Sequence, residues 1–143
     1  MDETTVIGEV VAFLTHDGFC ALRGVTGLPP TLNQSYHSYP TGGRCQIVLA
    51  DEAREYKDFL GMLVRSALNE CGVPFPTDGK YSLAITQRLN RNSRDADANV
   101  KLVMDAVCQG LGINDNKVYQ IYLVKEVRKG HLPHLEFQLR QLP

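Results

Sequence analysis

Tyr81-Ser82-Leu83-Ala84-Ile85-Thr86-Gln87-Arg88-Leu89 decides the fold. Tyr81, Leu83, Ile85, Gln87 and Leu89 alternate with Ser82, Ala84, Thr86 and Arg88, the two-residue period of a strand with one buried face. Asn90-Arg91-Asn92-Ser93 leads out of it into Arg94-Asp95-Ala96-Asp97-Ala98-Asn99-Val100-Lys101. From about Ala98 to Leu111 the period changes to that of a helix, with Val100, Val103, Met104, Val107 and Leu111 on one stripe and Gly110 and Gly112 ending it. Val118 to Val127 is then almost entirely apolar, which predicts a strand covered on both faces. Strand, helix and strand in succession predict an α/β (α+β) domain built on a mixed sheet.

Upstream, Val6 to Leu14 and Phe19 to Val25 read as a hairpin turned at Thr15-His16-Asp17-Gly18, where Asp-Gly is the turn signal. Residues 26–46 are punctuated by Gly27, Pro29, Pro30, Pro40, Gly42 and Gly43 and read as a long loop. It offers Tyr36, Tyr39 and Arg44 for base stacking or phosphate contact. Asp51 to Cys71 carries a helical apolar stripe, with acids at its start and Gly72 after its end. Phe59 and Met62 lie off that stripe and either widen the core face, the preferred reading, or meet a partner subunit. Downstream, Arg128-Lys129-Gly130 turns the chain into a last strand on which Leu135, Phe137 and Leu139 alternate with polar residues. The expected order is β-β-loop-α-β-α-β-β, four to five sheet strands and two main helices in one domain spanning residues 1–143.

Composition is that of an ordinary globular chain, with no apolar stretch of membrane-spanning length and an acidic start, Met1-Asp2-Glu3, unlike a secretory signal. Cys20, Cys45, Cys71 and Cys108 are scattered without a C-x-x-C pair, which predicts reduced thiols in a cytoplasmic protein. The net charge of −1 conceals an asymmetry. Residues 1–79 carry 5 basic and 10 acidic side chains, whereas residues 80–143 carry 10 basic and 6 acidic. The basic excess shares its half with the acids around Asp95.

Those acids admit more than one reading. Asp97 can be a helix cap that pairs with Lys101 one turn later, a surface arrangement worth a few tenths of a kcal/mol. Asp95-x-Asp97-x-Asn99 also begins like an EF-hand loop, but Val100 stands where its glycine belongs and Ala106 where its glutamate belongs. A third reading is a nuclease site. Asp95 and Asp97, joined by Asp115 from the mouth of the next strand, would form an oxygen-only donor set suited to Mg²⁺ or Mn²⁺. Lys101 would offer a point charge to phosphate, and Asp105 would orient it. His131 and His134 are separated by Pro133, so their H-x-x-H spacing is read as turn and strand, not as a helical metal pair.

The stretch from Arg94 to Ala106, continued by Asn114-Asp115-Asn116-Lys117-Val118, resembles the RusA family of Holliday junction resolvases, often encoded by phages and prophages. The family pattern is R-D-x-D-N-x-x-K, then D-A, then D-D-x-x-V, and Gly27-Leu28-Pro29-Pro30-Thr31-Leu32-Asn33 is similar to its P-P-S-x-N segment. The resemblance covers roughly residues 19–139 and leaves out an N-terminal strand at residues 5–14. It implies that Asp95, Asp97 and Asp115 hold metal and that Lys101 is the active-site lysine. Two positions depart from it: the asparagine is Asn99 where the family has it at Ala98, and Asn114 replaces an aspartate. What it implies is an Mg²⁺-dependent, homodimeric endonuclease of the bacterial cytoplasm or nucleoid, nicking four-way junctions symmetrically in recombination and repair. Arg44, Arg88, Arg91, Arg94, Lys117 and Lys125 are the expected DNA contacts. Two further classes stand beside it: a catalytically weak branched-DNA-binding protein, and a nuclease for other branched or flapped DNA.

Overall fold

The computed structural model describes residues 7–31, 36–41 and 44–143, with backbone alone for 36–41 and 44–49. It is a mixed five-stranded sheet with two helices. β1 (Glu9–Leu14) and β2 (Cys20–Thr26) form the expected hairpin. Its turn closes through Thr15, whose backbone N–H donates to Phe19 O at 2.7 Å, and Gly18 takes the positive φ of 85° that the bend requires. β3 (Tyr36–Thr41) and β4 (Arg44–Leu49) pair antiparallel as a separate ribbon. The expected loop therefore carries two strands, because aromatic and β-branched residues flank Gly42-Gly43 in the pattern of a hairpin.

α1 (Asp51–Cys71) matches its periodicity and ends at Gly72, whose φ of 66° lets its N–H reach Leu68 O. Ala53, Leu60, Val64 and Ala67 are buried on it, whereas Phe59 and Met62 are exposed, which corrects the reading that they widen the core face. β5 (Tyr81–Leu89), α2 (Val100–Leu111), a 3₁₀ turn (Asp115–Lys117) and β6 (Val118–Val127) follow, and then β7 (His134–Gln141). The sheet order is β1-β2-β7-β5-β6, with β5 and β6 parallel and the other pairs antiparallel. β7 thus inserts between the hairpin and β5. Leu22, Leu83, Ile85, Phe137 and Leu139 of the sheet meet Leu60, Val64, Val103 and Val107 of the helices in one core.

Gly110 does not end α2; it lies inside the helix, at its crossing with α1. A Cβ there would stand 2.8 Å from Gly61 O and 2.8 Å from Val64 Cβ, so the backbones approach at a distance only glycine permits. β6 departs most from expectation. It forms the sheet edge, and Tyr119, Ile121, Tyr122, Val124 and Val127 are exposed instead of covered on both faces.

Candidate functional site

The acidic segment hangs between the end of β5 and the start of α2, and its backbone is fastened from below. Gln87, fully buried on β5, donates its amide to Asp95 O at 2.8 Å and Ala96 O at 3.1 Å. Asn99, only 2% exposed, donates to Gln87 Oε1 at 2.6 Å, and Arg94 donates to Asn99 Oδ1 at 3.1 Å and to Pro29 O. Burial lowers the pKa of Arg94, but a guanidinium stays charged at any ordinary pH. Lys125 completes the frame from β6, donating to Asn92 Oδ1 at 2.7 Å and to Arg94 O at 3.0 Å. Both buried amides use donors and acceptor alike, so the network is satisfied and rigid.

This frame explains two departures from the expected local structure. The helix starts at Val100 and not at about Ala98. Ala98 N–H donates to Asp95 O at 3.2 Å and Val100 N–H to Asp97 O at 3.4 Å, two overlapping turns that delay the helix to Val100. The N-cap position falls to Asn99, not Asp97, and no side chain caps the helix, because the Asn99 amide is turned inward to Gln87. Asp95 and Asp97 both remain exposed.

One helical turn further on, Lys101 gathers the remaining acids. Its Nζ lies 3.2 Å from Asp105 Oδ1 and 3.7 Å from Asp115 Oδ2. Asp115 opens the 3₁₀ turn, which Asn114 caps by accepting from Asn116 N–H at 3.0 Å. Cys108, buried on the same helix, has its thiol pushed up to about 12 by burial and then by the charges of Asp115 and Asp105. It is a core thiol and not a nucleophile.

Asp115 and Asp105 therefore meet at Lys101, and Asp95 and Asp97 lie on the loop before α2. Among the described residues no three carboxylate, histidine or cysteine side chains are grouped to hold a metal ion. The donor chemistry suits a hard divalent cation, but the arrangement of Asp95, Asp97 and Asp115 does not fit one.

The expected DNA contacts divide likewise. Arg91 is exposed beside the acidic loop, and Lys117 is half-buried at the end of the 3₁₀ turn. Arg94 and Lys125 are engaged in the loop frame. Arg88 is clamped between Glu126 and Glu136, the latter at 3.0 Å. The side chains of Arg44, Tyr36 and Tyr39 lie outside the described residues. His134 begins β7, as the turn-and-strand reading expected, with Nδ1 2.7 Å from Leu132 O.

Gln87 is the site residue that sequence reasoning passed over. Its signal was an amide at a position of β5 where the alternation calls for an apolar side chain. No protein-family model matches the chain, and no curated protein matches it.

Proposed function

We propose that the chain is an endonuclease for branched DNA of the RusA kind, acting as a homodimer on four-way junctions. The observation that carries this reading is the approach of Asp115 to Lys101, 3.7 Å, which joins the two separated halves of the motif at one end of α2. Lys101 presents a compact cation to a phosphate, and in-line attack of water on phosphorus is helped by charge held near the scissile oxygens. Asp105 orients the ammonium through its 3.2 Å ion pair. Gln87, Asn99 and Arg94 hold the loop that presents Asp95 and Asp97, so Asn99 serves as a structural amide here. Mg²⁺, with Mn²⁺ as substitute, belongs to this reading through the resemblance and the oxygen-only donor chemistry.

Two open carboxylates repel a DNA backbone, so binding at this loop should be weak without a divalent cation and strengthened by one. A synthetic four-way junction labelled on each strand tests the whole reading. Symmetric nicks that need Mg²⁺ or Mn²⁺ and vanish in Asp97→Asn are expected. Tight junction binding with no nicking under either ion would replace it with the second reading, a branched-DNA-binding protein weak in catalysis. That Asp95, Asp97 and Asp115 form no metal-holding group among the described residues favours that alternative. Cutting flaps as readily as junctions would assign a broader nuclease. Among the described residues no helix is long and apolar enough to cross a membrane. A bacterial cytoplasm or nucleoid, or a phage or prophage origin, is part of the same proposal.

A further inference from the structure

β6 is ten residues long, roughly 33 Å of strand at about 3.3 Å per residue. One side of it pairs in parallel with β5, and among the described residues no strand pairs with the other. Natural sheets shield such edges with charges, prolines or short strands. β6 has none of these at its centre: Ile121-Tyr122-Leu123-Val124 is uncharged and contains no proline or glycine. Tyr119, Ile121, Tyr122, Val124 and Val127 are between 44% and 60% exposed. The opposite edge, β1, is six residues long and begins with Glu9.

We infer that β6 is a dimerisation edge, pairing antiparallel with β6 of a second copy across a two-fold axis normal to the sheet at Tyr122, so that two five-stranded sheets join into one. A row of main-chain donors and acceptors is matched by another extended strand, and a two-fold axis offers that row to itself. Such an axis keeps both helix layers on one side of the joined sheet, so residues placed opposite each other must share a face. The registry with β5 sets Ile121, Leu123 and Lys125 on the helix face and Gln120, Tyr122, Val124 and Glu126 on the other. Only a centre on a residue satisfies this condition.

Charge and regularity then choose which residue. Centred on Tyr122, the pairing sets Tyr122 against Tyr122, Ile121 against Leu123 and Gln120 against Val124, and moves Lys125 and Glu126 to the ends of the paired segment, opposite Tyr119 and Val118. Centred on Leu123, it sets Ile121 against Lys125, which the Asn92 and Arg94 contacts already hold. Centred on Ile121, it sets the irregularity at Val118 and Tyr119 opposite Val124 and Leu123, inside the apolar segment.

This interface gives a surface to the homodimer of the functional reading, on which it rests only for the expectation that a dimer exists. Its test uses neither DNA nor metal, so its outcome and that of the nuclease assay are separable. The full chain is examined by sedimentation equilibrium over a concentration series, as wild type and as Tyr122→Lys. Tyr122 is 57% exposed, so the lysine leaves the monomer core untouched, which circular dichroism verifies. A closed dimer is expected, with association at least about tenfold weaker in Tyr122→Lys. In a Cys45→Ser, Cys71→Ser background, mild oxidation of Tyr122→Cys should give a covalent dimer, while Phe59→Cys, exposed on α1, should not. A monomer at all concentrations, a dimer indifferent to Tyr122→Lys, or open-ended oligomers would overturn the inference.

Discussion

Lys101 Nζ stands 3.7 Å from Asp115 Oδ2 and 3.2 Å from Asp105 Oδ1, so one ammonium ties the middle of α2 to the turn that feeds β6. The ammonium and Asp115 are half exposed or nearly so, at 51% and 40% of their side-chain surface. An ion pair in that setting contributes about 1 kcal/mol at most. Lys101→Met should therefore leave the urea midpoint almost unchanged while lowering junction cleavage by about 100-fold or more. Asp115→Asn should behave alike, and Asp105→Asn should cost less, because it only orients the lysine. A Lys101→Met protein that cleaves at the wild-type rate would remove Lys101 from the chemistry.

The buried frame beneath the loop predicts the opposite balance. Asn99→Ala leaves Gln87 Oε1 and the Arg94 guanidinium each short of a partner inside the protein. An orphaned buried polar group costs about 1–3 kcal/mol. Urea unfolding of Asn99→Ala should show that loss, and Asp97→Asn, at an exposed position, should show almost none. Equal destabilisation by the two would mean that the loop is not held through Asn99.

Much of this architecture was legible in the residues, and the failures have physical causes. α1 and β5 followed from periodicity, because burial on one face imprints a period that backbone geometry fixes, and the bounds of β6 followed from its apolar run. The continuous apolar run of β6 was misread, because a strand covered by helices and a strand edge with exposed apolar side chains look the same in sequence. The cap reading open for Asp97 fails because capping depends on where Asn99 turns, and its partner Gln87 is a tertiary contact. Asp115 was expected to join Asp95 and Asp97; it lies against Lys101, and among the described residues the three acids form no metal-holding group, an outcome set by turns that spacing does not encode.

Alkaline pH should destabilise the fold through three enclosed groups. Burial lifts Cys108 from 9.0 to about 12, and burial lifts Tyr56 and Tyr81 from 10.0 to about 12. Each folded pKa lies above its unfolded value. The stabilisation is therefore complete below pH 9 and is lost as pH rises toward 12. Thermal melts at intervals across that window should show a falling midpoint, with tyrosinate absorbance appearing together with unfolding. Ionisation of all six tyrosines near pH 10 with the fold intact would contradict the burial of Tyr56 and Tyr81.

The arginines allow the proposed DNA contact to be tested apart from structural clamping. Arg91 is exposed beside the acidic loop, whereas Arg88 is held by Glu126 and Glu136 and Arg94 by Asn99 and Pro29 O. Arg91→Ala should weaken junction binding for every sequence tested and reduce the salt slope by about 1, with no change in stability. Arg94→Ala should instead lower the unfolding free energy, because Asn99 Oδ1 loses its donor inside the protein. If Arg91→Ala leaves both the affinity and its salt dependence untouched, the DNA path does not run past the end of β5.

The helix crossing carries the last prediction. Gly110 packs where a Cβ would stand 2.8 Å from Gly61 O, a backbone atom that cannot rotate aside. Gly110→Ala gains helix propensity of about 1 kcal/mol and loses it again by forcing α1 and α2 apart. Overpacking of this kind costs about 1–3 kcal/mol, so the net effect is destabilising despite the better helix former. The displacement passes along α2 to Lys101 and Asp105, so cleavage should fall further than stability alone explains. A Gly110→Ala protein that is both more stable and fully active would show that α2 can shift against α1 without disturbing the Lys101–Asp115 approach.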